Sequence, residues 1–252
     1  MVKLKALLIG GKKLYRLRAA HFFLANISIF EFNFIDFMQS LSTIILALII
    51  TNLLISLKGF NDTVFFNRFK FNIAAVKLGQ NYRVITSAFL HVDFSHLVFN
   101  MFALYLFGDQ ALEGLGLINF LILYFACLIS GNLFALYFHS EDSYYSAVGA
   151  SGAIMGILYA TILMYPEMKL ALIIFPVPLP GYVFGIGYLV YTLFGMKKQQ
   201  DNIGHTAHFG GAIGGIITTL ILAPWIIDTS FSTLILLGIV TAVTGFILFK
   251  KN

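Results

Sequence analysis

Four side chains in this sequence could carry out acyl transfer together. Ser151 stands among small residues in Gly149-Ala150-Ser151-Gly152, and His208 in Ala207-His208-Phe209-Gly210-Gly211. A serine hydroxyl is a weak nucleophile until a base removes its proton. Imidazole is the usual base because it titrates near neutral pH. His96 and Asn100 are four residues apart and so share one face of a helix. With the backbone N–H of Ser151 they could supply donors for a developing oxyanion. The expected reaction is hydrolysis of a peptide bond or ester. No carboxylate is well placed to orient His208, since Asp201 lies seven residues earlier in a polar loop. A Ser–His dyad is therefore expected rather than a triad.

Each cluster also has a blander reading. His96 and Asn100 could be an interhelical hydrogen bond, Ser151 a small packing residue, and His208 a bonded interior histidine. Their joint position decides between the readings, and it depends on the elements that carry them. Of the 252 residues, 59% are hydrophobic, only 11% are charged and 27 are Phe. Mean hydropathy is +0.89. Soluble domains average about 25% charged residues, so a soluble enzyme, a disordered chain and a nucleic-acid-binding domain are all excluded. A membrane span needs about 20 apolar residues. Spans are expected near 41–57, 95–108, 117–138, 150–165, 181–196, 204–223 and 231–249. Pro176, Pro178 and Pro180 exclude a continuous helix before the fifth. The long stretch from Lys58 to Ser95 is expected to be a functional or membrane-lying loop rather than a structureless one.

Alternate spans of an antiparallel series run the same way. His96 with Asn100, Ser151, and His205 with His208 each open an even-numbered span. The three polar clusters therefore meet at one depth near one face, as a water-accessible site inside a membrane requires. Gly152 and Gly156 on the fourth span, with Gly211 and Gly215 or the second pair Gly210 and Gly214 on the sixth, would let the two spans touch closely enough for Ser151 to meet His208. Other catalytic patterns are missing. The motif is not Gly-x-Ser-x-Gly, there is no His-Glu-x-x-His, and Leu106-Phe107-Gly108-Asp109 lacks the first glycine of an intramembrane aspartic protease signature. His91, His96, His205 and His208 have no acidic or cysteine partner, so no metal is expected. Cys127 is the single cysteine and can form no intrachain disulfide.

The ordered motifs from Tyr82 to Gly215 resemble the rhomboid family of intramembrane serine proteases. Tyr82-Arg83 stands where that family has Trp-Arg. His91 followed by His96-Leu97-Val98-Phe99-Asn100 is similar to its His-x-x-x-Asn element. Gly149-Ala150-Ser151-Gly152 and Ala207 to Gly215 are similar to its nucleophile and histidine motifs. The resemblance implies an all-α polytopic protein, with a six-helix core over 41–227 and a seventh span within 228–252; residues 1–40, basic and then apolar but interrupted by Glu31 and Asp36, are expected to be an interfacial segment. It implies Ser151 as nucleophile, His208 as general base and acid, and His96, Asn100 and the Ser151 N–H as the oxyanion site. Arg83, His91, Gly149, Gly152, Gly211 and Gly215 become structural motif positions, with Gly149 allowing a close backbone approach. The implied partners are transmembrane protein substrates and the lipid bilayer, with no cofactor and no nucleic acid.

Two departures from the family pattern stand out. Tyr82 replaces Trp. Met155 stands where relatives often carry an aromatic ring against the histidine, so weaker positioning of His208 is expected. His205 is an additional histidine and is expected to be structural. The expected location is a bacterial inner membrane, multi-pass, with the N-terminus cytoplasmic. The dense basic flank of Lys3, Lys5, Lys12, Lys13, Arg16 and Arg18 favours that orientation, although more of the 16 Lys and Arg fall on the far side. A catalytically silent membrane-protein escort of the same family is the alternative. A transporter fits less well, because the polar residues cluster at one face instead of continuing across the membrane.

Overall fold

Backbone polar groups in hydrocarbon must be paired within their own segment, which leaves helices as the economical solution for long apolar runs. The computed structural model describes residues 42–172, 175–198 and 204–250. The basic segment 1–40 and Asp201 lie outside the described residues. Each stretch expected to span is helical: α1 is Thr43–Asn61, and three short helices follow, α2 (Thr63–Phe69), α3 (Ile73–Lys77) and α4 (Arg83–Thr86). Next come α5 (Phe94–Phe138), α6 (Ser151–Met164), α7 (Gly181–Lys198), α8 (His205–Leu222), the short α9 (Ile226–Thr229) and α10 (Phe231–Phe249). Among the described residues, α1, α5, α8 and α10 are long and apolar enough to cross a membrane. The protein is an all-α polytopic membrane protein, with two small two-stranded sheets in its connections.

Helix α5 carries two of the expected spans in one 45-residue run. Gly116 breaks it with φ 73 and ψ 166, a conformation that costs a side-chain-bearing residue but not glycine. Each arm rises about 33 Å at 1.5 Å per residue, enough for a hydrocarbon core of about 30 Å. Asp93 caps its start, with Oδ1 accepting from the His96 N–H at 2.7 Å.

Helix α6 is different, with only 14 residues, nearly all buried. It rises about 21 Å, so if one end reaches a membrane boundary the other stops about 9 Å inside the opposite one. Its neighbours α5 and α8 form the central packing triad with it. Glycines allow the close approach. A Cβ on Gly211 would collide with the Gly152 carbonyl, and one on Gly215 with the Gly156 backbone. Gly156 in turn lies against Cys127 of α5, which is fully buried. The other side of α8 faces α5, where Ser130 Oγ donates to Gly210 O at 3.0 Å.

The long first connection is not structureless. Its strand β1 (Phe71–Asn72) pairs antiparallel with β2 (Ser146–Ala147). Phe71, Ile73, Val76, Val84 and Ala135 form a small core beneath it. Buried Arg83 holds it closed: Nη1 donates to the carbonyls of Asn67 and Lys70, both at 2.8 Å, and Nε to Gln80 Oε1 at 2.7 Å. The proline-rich stretch before α7 is a hairpin, β3 (Lys169–Leu172) paired antiparallel with β4 (Phe175–Pro180). Proline is compatible with a short two-stranded edge, though not with a helix interior.

Candidate active site

Ser151 is the first residue of α6, and His208 lies in the first turn of α8. The glycine contacts between those helices bring Ser151 Oγ within 2.7 Å of His208 Nε2. Both residues line a cavity of about 410 Å³ with His96, Phe99, Asn100, Met155 and Tyr188. Ser151 and Asn100 are therefore at one end of the bundle with His96 and His208, as the alternating-span argument expects. His208 and Asn100 are each under a tenth exposed.

Gly149 shapes the floor. Its φ is 120, and its missing side chain leaves room for His96: a Cβ there would stand 2.8 Å from His96 Nε2 and 3.6 Å from Asn100 Nδ2. The Gly149 N–H donates to Ser87 O at 3.0 Å. Ser87 is held in turn by Asn132, whose buried amide donates to Val84 O at 2.7 Å and to Ser87 Oγ at 3.2 Å. The Asn100 amide donates to His96 O at 3.1 Å. His96 and Asn100 thus converge on the backbone just before Ser151. The start of α6 adds N–H groups and the positive end of its dipole to the same space, and such a set of donors can receive an oxyanion.

His91 lies outside the cavity but against its wall. It is fully buried, its Nδ1 is 2.8 Å from Ser56 Oγ, and its ring meets that of His96 edge-on at 4.9 Å. Ser56 Oγ also donates to Phe89 O at 3.0 Å, so the Ser56–His91 bond runs from Nδ1–H to the hydroxyl oxygen. Burial, with the neighbouring His96, pushes the His91 pKa down to about 3.

Met155, from which weaker positioning of His208 was expected, lines the cavity, and an aromatic ring reaches His208 from another helix. Tyr188 of α7 puts its hydroxyl 3.0 Å from His208 Nδ1. The two rings lie 5.9 Å apart at 41°. Sequence reasoning missed Tyr188, Asn132 and Ser87. Nothing in their local sequence separates them from the many other apolar-span tyrosines, amides and hydroxyls. His205 is buried beside α7, edge-on to Tyr191 at 5.1 Å and to His208 at 6.1 Å, in space that Gly195 leaves open.

Residues 78–225 match the family model for the rhomboid domain. The chain belongs to the rhomboid family. It is 31% identical over 186 residues to RHOMBOID-like protein 12, mitochondrial, of Arabidopsis thaliana, covering 67% of this chain and 55% of that one. It is 34% identical over 137 residues to Rhomboid protein 1, mitochondrial, of Saccharomyces cerevisiae, covering 53% and 40%. It is 30% identical over 139 residues to the mouse Presenilin-associated rhomboid-like protein, mitochondrial, covering 53% and 36%. The matched regions span from about a third to just over half of these relatives' lengths. The expectation of a bacterial inner membrane with a cytoplasmic N-terminus is corrected by these rhomboids, all of them mitochondrial. The physical reason for the error is plain. Apolar spans and a basic, acid-poor N-terminal flank suit a bacterial membrane protein, and neither feature separates a bacterial membrane from an organelle's.

Proposed function

We propose that this rhomboid is an intramembrane serine endopeptidase, cutting peptide bonds in or near transmembrane segments of other membrane proteins. Family members are generally intramembrane serine proteases. The observation that carries the proposal for this chain is the 2.7 Å hydrogen bond between Ser151 Oγ and His208 Nε2, within a cavity that His96 and Asn100 also line. In the reaction, Ser151 Oγ attacks the scissile carbonyl carbon while His208 Nε2 takes its proton. The carbonyl oxygen becomes an oxyanion, received by the Ser151 N–H and the side chains of His96 and Asn100. Collapse breaks the C–N bond, and His208 returns the proton to the leaving amine. Water then attacks the acyl-enzyme ester with the same base, freeing Ser151 and a carboxylate. Arg83, His91, Gly149, Gly152, Gly211 and Gly215 act through packing and positioning.

The cavity at the start of the short α6 supports hydrolysis below the membrane surface, where water is otherwise scarce. The names of the relatives support a mitochondrial membrane as the setting, and membership of the rhomboid family supports membrane-protein substrates and lipid as partners. A silent escort has no need of a hydroxyl bonded to an imidazole in a cavity, and no observation favours that alternative.

The test is proteolysis of single-span reporters by the purified protein in liposomes, beside Ser151→Ala. Cleavage by the wild type and none by the variant is expected. Equal cleavage by both removes Ser151 as nucleophile, and no cleavage of several unrelated reporters removes the protease.

A further inference from the structure

We propose that Tyr188 is a positioning residue that completes a Ser151–His208–Tyr188 relay, its phenol oxygen accepting the Nδ1–H of His208. This rests on the assignment of His208 as the base. To accept the serine proton, Nε2 must carry a lone pair, so the ring's hydrogen must sit on Nδ1. Once Nε2 has taken the proton, both ring nitrogens carry hydrogen, and a buried N–H without an acceptor is costly. The Tyr188 hydroxyl, 3.0 Å from Nδ1, is an acceptor at the right atom before and after transfer. It orients the imidazole as a carboxylate does in a Ser-His-Asp triad, with a neutral oxygen suited to an apolar helix bundle.

The position of that hydroxyl is built rather than incidental. Tyr159, on the same helix as Ser151 and fully buried, donates its hydroxyl to Gly185 O at 2.6 Å. Gly185 lies one turn before Tyr188, and its lack of a side chain allows this approach: a Cβ would stand 3.3 Å from Tyr159 Cε1 and 3.2 Å from Ile162 Cδ1. The helix carrying the nucleophile therefore fixes the height of the turn that carries Tyr188. Phe184, Tyr188 and Tyr191 form an aromatic ladder along one face of α7, with ring centroids 6.5 and 5.8 Å apart. That ladder limits the swing of the phenol.

Two readouts test the relay. The first is the nitrogen and proton NMR of His208 in the 252-residue chain labelled with 15N-histidine. A hydrogen-bonded Nδ1–H resonance is expected in the wild type, and its loss or upfield movement in Tyr188→Phe. An unprotonated Nδ1 in the wild type, or a signal unchanged by the substitution, overturns the relay. This holds whether or not any reporter is cleaved, so a failure of the protease assignment is seen separately. The second is reporter cleavage, where Tyr188→Phe should lower kcat about tenfold or more with KM unchanged, within the range general-base contributions reach. 3-Fluorotyrosine at position 188 keeps the ring and weakens the acceptor, and should fall between the two. Wild-type kcat in both variants overturns the relay, as does a loss confined to KM.

Discussion

Gly149 and His96 occupy mutually exclusive space: the imidazole fills the volume that any side chain at position 149 would need. The glycine also has a φ of 120, where an L-residue is strained by about 1–3 kcal/mol. Gly149→Ala should therefore displace His96 and disturb the donors around Ser151. We expect at least a tenfold loss in reporter cleavage and a lower melting temperature. Unchanged values of both would show that the backbone there can relax.

Asn100 is one of several donors, whereas Ser151 has no substitute. Asn100→Ala should lower kcat about 10²-fold, the usual cost of removing one oxyanion donor, and leave measurable turnover. Single-turnover cleavage beside Ser151→Ala is the comparison. A loss as complete as that of the serine variant would assign Asn100 to holding His96 through the bond to its carbonyl.

The contact between α6 and α8 tolerates no Cβ at Gly211. Gly211→Ala should part the helices that bring Ser151 to His208. Overpacking of this kind costs about 1–3 kcal/mol. Both the unfolding midpoint in detergent and the rate of Ser151 labelling by a fluorophosphonate should fall. A fall in stability with undiminished labelling would mean that the dyad is set from elsewhere.

His91 gives the fold a pH dependence with a definite sign. Its folded pKa is pushed from 6.5 down to about 3, so the unfolded chain binds a proton that the folded one refuses. The stability associated with neutral His91 is complete above pH 6.5 and declines as pH falls toward 3. Melting temperatures between pH 7.5 and 4.5 should drop more steeply for the wild type than for His91→Gln, which cannot protonate there. Parallel curves would disprove a buried neutral imidazole at this position.

Ser151, His208, His96 and Asn100 were legible because polar, chemistry-bearing side chains are rare inside apolar helices, and each began a span of the same direction. The spans were legible because a bilayer demands long apolar runs. Tyr188 was not, because it is one of 12 tyrosines and its meeting with His208 depends on how α7 is set against α6 through Gly185 and Tyr159. The partners of Arg83 are largely backbone carbonyls, which every residue has. The prolines before α7 announced that no helix could form, but the pairing of Leu170 with Leu179 is a register that composition does not specify. The choice of membrane was illegible because the relevant physics, apolarity with a basic flank, is common to both candidates.

Cys127, sealed beneath Gly156, makes the wild-type chain a nearly silent background for thiol reagents. Cysteines introduced one at a time into the described connections can then be probed with membrane-impermeant maleimides, without first removing a native thiol. The sidedness of the Ser151 cavity thereby becomes a labelling experiment on an otherwise unaltered protein.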